Sequence, residues 1–370
     1  MGTMISINKP QIGEQEIEAV VRILKSGILT NHSGNGPAVK QFEAEFGEFA
    51  KAKHAITVNN GTAALHMALL ANGVTSGDEV VLPSFTFTAT AEAVALTGAK
   101  PVFADIDPGT YNIDPEKIDD SIGAKSKVIM PVDLYGLPSN MQVIREIAEK
   151  HGLTVIEDAA QAHGAVYQGR PPGSFADMAC WSFYATKNIT TGEGGMITTD
   201  HDEYAEKLRC IRRHGEKEGY KSVMLGHNYR MPELEAALGC VQLHKLPGFL
   251  EKRRRNARLL TERLGDIRRL DLPKEPPDRK HSWYLYSVRL RDADSTVRNA
   301  VVDELRKRSV GATVYYHTPI HTMPYYRQFG EHRLPETERA AQQVFSLPVH
   351  PSLTFEQMNY IASSVEHVFQ

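Results

Sequence analysis

His54-Ala55-Ile56-Thr57-Val58-Asn59-Asn60-Gly61-Thr62-Ala63-Ala64-Leu65 begins with β-branched and apolar residues, turns at a glycine and runs on into helix formers. A strand, a tight turn and a helix start therefore follow one another without an intervening loop. The alternation repeats. Strands are predicted at Glu79–Leu82, Pro101–Ala104, Val128–Val132 and Thr154–Glu157, interleaved with helices at Thr62–Ala71, Thr88–Leu96 and Ser139–His151. Strands spaced by helices of this length imply an α/β fold, a mainly parallel sheet covered on both faces. Upstream, Gly13–Ser26 and Pro37–Ala50 read as helices joined by a short extended connection at Gly27–Asn31; the first sets Ile17, Val20, Val21, Ile23 and Leu24 against Glu14, Glu16, Glu18 and Arg22. Downstream, a strand at Met196–Thr199 is followed by helices at Pro232–Leu246 and Gly248–Leu264, and the Pro-rich run Leu272–Asp278 reads as the crossing to a smaller unit. That unit is predicted to hold strands at Ser282–Leu290 and Thr313–Tyr316 and helices at Ser295–Arg308, Glu336–Phe345 and Thr354–Val368. The expected division is a large domain over 1–246 and a smaller α+β domain over 247–370.

A chain of 370 residues is longer than one core usually grows, which fits two domains. Hydrophobic residues make up 41% and charged residues 24%, a balance that argues against disorder. The net charge of -3 gives no reason to expect nucleic acid, and the basic run Lys252-Arg253-Arg254-Arg255 reads as a solvated helix face. Cys180, Cys210 and Cys240 are odd in number and lack metal-ligand spacing, so neither a disulfide nor a metal centre is expected, and free thiols fit a reducing cytoplasm. The first residues lack a charged segment followed by an apolar core, and no apolar run approaches a membrane span. Met1–Thr3 reads as a cloning remnant ahead of a natural start at Met4.

Ligands of such sheets collect at the carboxyl ends of the strands, and the segments there carry the chemistry. After the first strand, the free N–H groups of a helix start and the Thr62 hydroxyl could hold a phosphate, although a Thr helix cap explains the same residues. Pro83-Ser84-Phe85-Thr86-Phe87 follows the second strand; Phe85 reads as core, whereas Phe87 could stack on a flat ring. Glu157-Asp158-Ala159-Ala160-Gln161 ends a buried strand with a carboxylate, a costly placement unless a cation faces Asp158, and a protonated pyridine nitrogen would serve. The run Trp181-Ser182-Phe183-Tyr184-Ala185-Thr186-Lys187 then presents one lysine among hydroxyls and glycines. Burial beside the apolar strand would favour the neutral, nucleophilic amine, which forms a Schiff base with an aldehyde, while Ser182 could meet a phosphate. Pyridoxal phosphate carries both groups. Alone, Lys187 could equally be an ordinary loop lysine before a glycine turn.

Taken in order, Asn60-Gly61-Thr62-Ala63-Ala64-Leu65, Pro83-Ser84-Phe85-Thr86-Phe87, Glu157-Asp158-Ala159-Ala160-Gln161, Ser182-Phe183-Tyr184-Ala185-Thr186-Lys187 and Gly226-His227-Asn228-Tyr229-Arg230-Met231 resemble the motifs of the DegT/DnrJ/EryC1/StrS sugar aminotransferases. The resemblance covers essentially the whole chain and implies the aspartate-aminotransferase-like fold, pyridoxal 5'-phosphate as cofactor and a cytoplasmic homodimer. It implies that Lys187 anchors the cofactor and carries protons, that Asp158 pairs with its ring nitrogen, that Gln161 contacts its phenolic oxygen and that Phe87 stacks on its ring. Gly61, Thr62 and Ser182 would bind the phosphate, and Asn228 would reach the same phosphate from the partner subunit. The implied reaction moves an amino group from glutamate to a keto group of a nucleotide-linked sugar. A branch that dehydrates instead has histidine in place of this lysine, so Lys187 argues for transamination. The run Lys187–Gly195 is similar to that of enzymes aminating 4-keto sugars, whereas 3-keto enzymes tend to carry Gly-Asp-Gly-Gly after a differently composed loop. Tyr316 and His321 fall where the family builds its sugar-nucleotide pocket, although strand packing would also account for the tyrosine. A regulatory member that keeps the fold without turnover is the alternative of a different class.

Overall fold

The computed structural model describes residues 4–370, so the reading of Met1–Thr3 lies outside the described residues. In chain order the first unit contains α1 (Glu14–Ser26), α2 (Pro37–Ala50), β1 (His54–Val58), α3 (Gly61–Ala71), β2 (Glu79–Pro83), α4 (Ala89–Leu96), β3 (Lys100–Ala104), α5 (Pro115–Ser121) and β4 (Ser126–Ile129). It continues with α6 (Met141–His151), β5 (Thr154–Asp158), β6 (Val166–Tyr167), β7 (Met178–Ser182), β8 (Gly195–Thr199), α7 (Asp202–Ile211) and the short strands β9 (Glu216–Glu218) and β10 (Lys221–Ser222). Then come α8 (Glu233–Leu264), β11 (Leu270–Asp271), β12 (Arg279–Lys280), β13 (Tyr286–Leu290), α9 (Ser295–Lys307), α10 (Pro335–Gln343), β14 (Val344–Leu347) and α11 (Phe355–Val368).

Seven strands form the main sheet in the order β1-β8-β7-β5-β4-β2-β3. Every neighbouring pair is parallel except those made by β8, which runs antiparallel to both β1 and β7. The two strands flanking the lysine loop, β7 and β8, are buried along their whole length, as expected of strands covered on both faces. Their cover explains α3, which is apolar nearly all round because it packs at once on α4, α7 and the sheet. On the other side of the sheet Phe46 packs edge to face on Trp181 and Phe183, in a cluster with Phe42 and residues of α8. A second core lies between the sheet β11-β13-β14, the carboxyl half of α8, α9 and α11.

The secondary structure departs from expectation at several places; the strand expected over Ser282–Leu290, for one, begins only at Tyr286. Pro247 does not divide a helix pair: α8 is continuous from Glu233 to Leu264, and the expected boundary between 246 and 247 falls inside it. Proline withholds one backbone donor, and the buried Leu243 and Leu246, packed in the core shared with α2, hold the helix together across that gap. Thr313–Tyr316 forms no strand, only a single bridge from Thr313 to Ser346, because the chain turns away at Tyr316, whose φ is +63°. The helix expected to reach Phe345 ends at Gln343, and Val344-Phe345-Ser346-Leu347 is a fully buried strand paired with β13; β-branched and aromatic residues suit that position better than a helix end.

The amino-terminal segment also returns to the second core. Ile5 bridges Val310, donating to the Ser309 carbonyl at 2.9 Å and accepting from Gly311 N at 2.8 Å. A Cβ on Gly311 would strike the Ile5 carbonyl, so glycine is required there.

Candidate active site

A cleft of about 720 Å³ opens at the carboxyl ends of β1, β2, β5 and β7. Its volume lies in the range that holds a cofactor-sized ligand. One end is a cradle made by the start of α3 and the end of β7. Asn60, not Thr62, caps α3, its Oδ1 accepting from Ala63 N at 2.8 Å. The Thr62 hydroxyl is therefore not spent on the cap. Gly61 lets strand and helix meet closely: a Cβ there would lie 2.8 Å from the Ser182 Cβ and 3.2 Å from its Oγ. A helix amino terminus, a threonine and a serine thus converge on the space that a phosphate would fill.

The middle of the cleft is set by Asp158. This side chain is 5% exposed and held by Thr90 Oγ1 at 2.9 Å and by Ala160 N at 3.2 Å. Burial raises its carboxyl above the usual range, while the two donors and the charge of Lys187 pull the other way. No cation forms an ion pair with Asp158 among the described residues, so it faces the cleft as a buried acid awaiting a partner. Behind it, Asp133 and Glu157 are also buried. Asp133 Oδ1 accepts from Ser139 N at 2.8 Å and Glu157 Oε2 from Gly173 N at 2.5 Å, while their remaining oxygens, Asp133 Oδ2 and Glu157 Oε1, are buried without a donor among the described residues. Burial pushes Asp133 up to about 6 and Glu157 well above its usual value, the charge of Asp133 adding to the rise at Glu157.

Gln161 is locked at both ends of its amide, accepting from Tyr135 N at 2.8 Å and donating to the Tyr316 hydroxyl at 3.0 Å. Tyr135 and Tyr316 stack with centroids 6.2 Å apart, and both have left-handed backbones, at φ +59° and +63°. Non-glycine residues tolerate that region only where their surroundings impose it. Phe87, 59% exposed, forms another wall. Lys187 enters from the loop between β7 and β8. This loop is tied by Phe183 N to Gly194 O at 2.8 Å, Thr191 N to Phe183 O at 3.0 Å and Lys187 N to Tyr184 O at 2.9 Å. The lysine is half-buried rather than buried.

Gly61, Thr62, Phe87, Asp158, Gln161, Ser182 and Lys187 thus line one cleft, with Tyr316 bonded to one of them. Two expected residues do not. His321 is buried between Ser84 Oγ, 2.7 Å from its Nδ1, and Glu338, 3.5 Å from its Nε2; it braces the turn after β2 and is not part of the cleft lining. Asn228 is exposed, while its neighbour Tyr229 lines the cleft and accepts from Asn59 N through its carbonyl at 3.0 Å. The sequence reading overlooked Thr90, whose position one helical turn after Thr86 was the available signal. It also overlooked Tyr284, which nothing short of the tertiary fold brings near Lys187. Arg253 was assigned to a solvated helix face but is buried, with Nη1 bonded to the carbonyls of Trp283 and Tyr284.

The sequence model of the DegT/DnrJ/EryC1/StrS aminotransferase family matches residues 10–366. The chain belongs to this family. Similar proteins include the "Pleiotropic regulatory protein" of Geobacillus stearothermophilus, 41% identical over 96% of each chain. The GDP-perosamine synthase of Caulobacter vibrioides is 38% identical over 98% of each. DesV of S. venezuelae, solved in complex with a ketimine intermediate, superposes with a TM-score of 0.91 at 35% identity, covering 96% of this chain and 94% of that one. Family members are aminotransferases dependent on pyridoxal phosphate, and this site fits that group. The glycine-walled cradle suits its phosphate, and the buried Asp158, lacking a cation, suits its ring nitrogen. When bound, the cofactor supplies an electron sink for the carbon that loses or gains a proton.

Proposed function

We propose that this chain transfers the amino group of glutamate to the 4-keto group of a nucleotide-linked sugar, using pyridoxal 5'-phosphate. The observation that carries this reading is the convergence of Lys187, Asp158 and the Gly61–Thr62–Ser182 cradle on one cleft. Asp158 keeps a ring nitrogen protonated, the cradle and Phe87 fix the ring, Gln161 offers its remaining N–H to the phenolic oxygen, and Lys187 moves a proton at the reacting carbon. The names of the relatives support a sugar substrate, one being a GDP-perosamine synthase. The 4-keto choice rests on the run Lys187–Gly195. The test is a panel of nucleotide-linked 3-keto and 4-keto sugars incubated with glutamate, following 2-oxoglutarate release and locating the new amine by NMR. Amination at the 3 position would overturn the 4-keto assignment; no 2-oxoglutarate with any sugar would overturn the reaction.

The same reading makes the enzyme a cytoplasmic homodimer with shared sites. Asn228 is exposed and does not line its own cleft, and the tip of the β9–β10 hairpin and the segment after it leave Tyr220 and Leu225 89% and 84% exposed, which a second copy would cover. It also retains a large unit over 1–246 and a smaller one over 247–370, supported by the separate core of the second. Among the described residues, no helix is long and apolar enough to cross a membrane, and no cluster of three or more His, Cys, Asp or Glu is placed to hold a metal. The Geobacillus relative's name motivates a regulatory reading without turnover. A yellow protein that bleaches with glutamate would remove it.

A further inference from the structure

Lys187 holds its charge over an aromatic face instead of beside a carboxylate. Its Nζ lies 4.9 Å from the centroid of the Tyr284 ring, inside the distance at which a ring's negative face attracts a cation. No Asp or Glu forms an ion pair with it among the described residues. The ring is fixed from several directions. Its hydroxyl is 3.0 Å from Thr186 Oγ1, on the residue before the lysine. Arg253 donates from Nη1 to the carbonyls of Trp283 at 3.0 Å and Tyr284 at 3.1 Å, and from Nη2 to Asn8 Oδ1 at 3.4 Å. Asn8 in turn donates to the Thr186 carbonyl. Trp283 is held at φ +53°, a strained placement for a large side chain that surrounding contacts must impose. One buried arginine therefore ties the ring and the lysine loop into a single unit.

We propose that Tyr284 is a positioning residue for Lys187, its ring receiving the ammonium whenever the lysine is detached from the cofactor. This rests on Lys187 being the cofactor lysine. In transamination that amine is set free in each half-reaction and alternates between charged and neutral forms. A carboxylate beside it would hold the proton and compete for it. An aromatic face attracts the charged form, accepts no proton and releases the neutral amine. Glu193 lines the same cleft but forms no ion pair with the amine. The other titratable groups facing the amine are Asp158 and His163, both of which feel its charge, and Tyr184 on the cleft wall.

The test uses the full-length protein freed of cofactor, with Lys187 labelled by acetic anhydride across a pH series and quantified by peptide mass mapping. Tyr284→Phe keeps the ring and should leave the midpoint of the reactivity profile in place. Tyr284→Leu removes it and should move the midpoint down by about 0.4–1.5 pH units. A folded Tyr284→Leu whose profile superimposes on the wild type overturns the proposal, as does a Tyr284→Phe that shifts equally. If Tyr284→Leu does not fold, phenylalanine at 284 fluorinated in steps weakens the negative face at nearly constant shape. The midpoint should then fall stepwise, and a constant midpoint refutes the ring's role. Borohydride reduction of the holoenzyme with peptide mapping tests the cofactor lysine separately. A pyridoxyl group found away from Lys187 sinks that assignment and leaves the labelling result to be judged independently.

Discussion

Gly61→Ala adds one methyl group at the point where helix and strand come closest. The new Cβ would lie 2.8 Å from the Ser182 Cβ, whereas carbon atoms settle at about 3.5–4.0 Å. Relief therefore needs the start of α3 or the end of β7 to retreat by roughly 1 Å, at a cost of about 1–3 kcal/mol typical of overpacking. The backbone at Gly61 is not in the left-handed region, so conformational strain adds nothing, and alanine's helix preference offsets part of the cost. The larger effect falls on the ligand. Opening the cradle by that distance breaks at least one charge-assisted hydrogen bond to a phosphate, worth about 1.5–3 kcal/mol, which weakens cofactor binding by roughly 10- to 150-fold. Titrating cofactor-free protein with pyridoxal 5'-phosphate by absorbance measures this directly, and thermal melting reports the fold. Gly248→Ala is the control: it lies in α8 with open space around its Cβ and should raise stability by about 0.5–1 kcal/mol without touching affinity. Wild-type affinity in a folded Gly61→Ala would refute the cradle.

Asp158→Asn should lower turnover by about two to four orders of magnitude and yet melt no lower than wild type without cofactor, since it removes a buried acid that lacks a cation; near-native rates would make the carboxylate structural. For Asp133 and Glu157, burial raises both carboxyls, so the folded state holds protons that the unfolded chain releases. The stability this lends is complete below the unfolded value near 4 and is lost as pH rises, first through about 6 for Asp133 and then at higher pH for Glu157. Glu157→Gln can still accept from Gly173 N and removes the titrating carboxyl, so it should gain stability over wild type as pH increases; denaturant curves at pH 5, 7 and 9 that stay parallel for the two proteins would count against a raised Glu157. Mixing Lys187→Ala with Asn228→Ala homodimers under subunit exchange should restore activity, approaching half the wild-type value per heterodimer, because one site then carries both defects and the other neither. Heterodimers as inactive as their parents would dispose of the shared site.

The parallel sheet was legible because each strand of the first unit is a short apolar run bounded by a turn and a helix, and β1, β2, β3 and β5 lie within a residue or so of their expected limits. The second unit was harder. Pro247 reads as a break, yet the packing of Leu243 and Leu246 overrides it, and the switch from helix to strand at Val344 depends on pairing with β13, far away in sequence. At the site, residues that end strands of the sheet were found, since their position follows from local pattern. The place of His321 was not legible, because its spacing says nothing of Ser84, which lies 2.7 Å away. Asn60 and Thr62 compete for the same cap, and only geometry shows that the asparagine takes it.

The bridge between Ile5 and Val310 has a consequence for synthesis. Ile5 leaves the ribosome long before the segment it docks on, Ser309 to Gly311. Closing so long a loop adds little entropy beyond a shorter one but must wait for its far end. Asn8 is the residue that grips the Thr186 carbonyl. A nascent fragment can therefore lay down the sheet and the cradle at Gly61 while Ile5, three residues ahead of Asn8, still lacks its anchor, so the last tether of the segment that grips the Lys187 loop forms late.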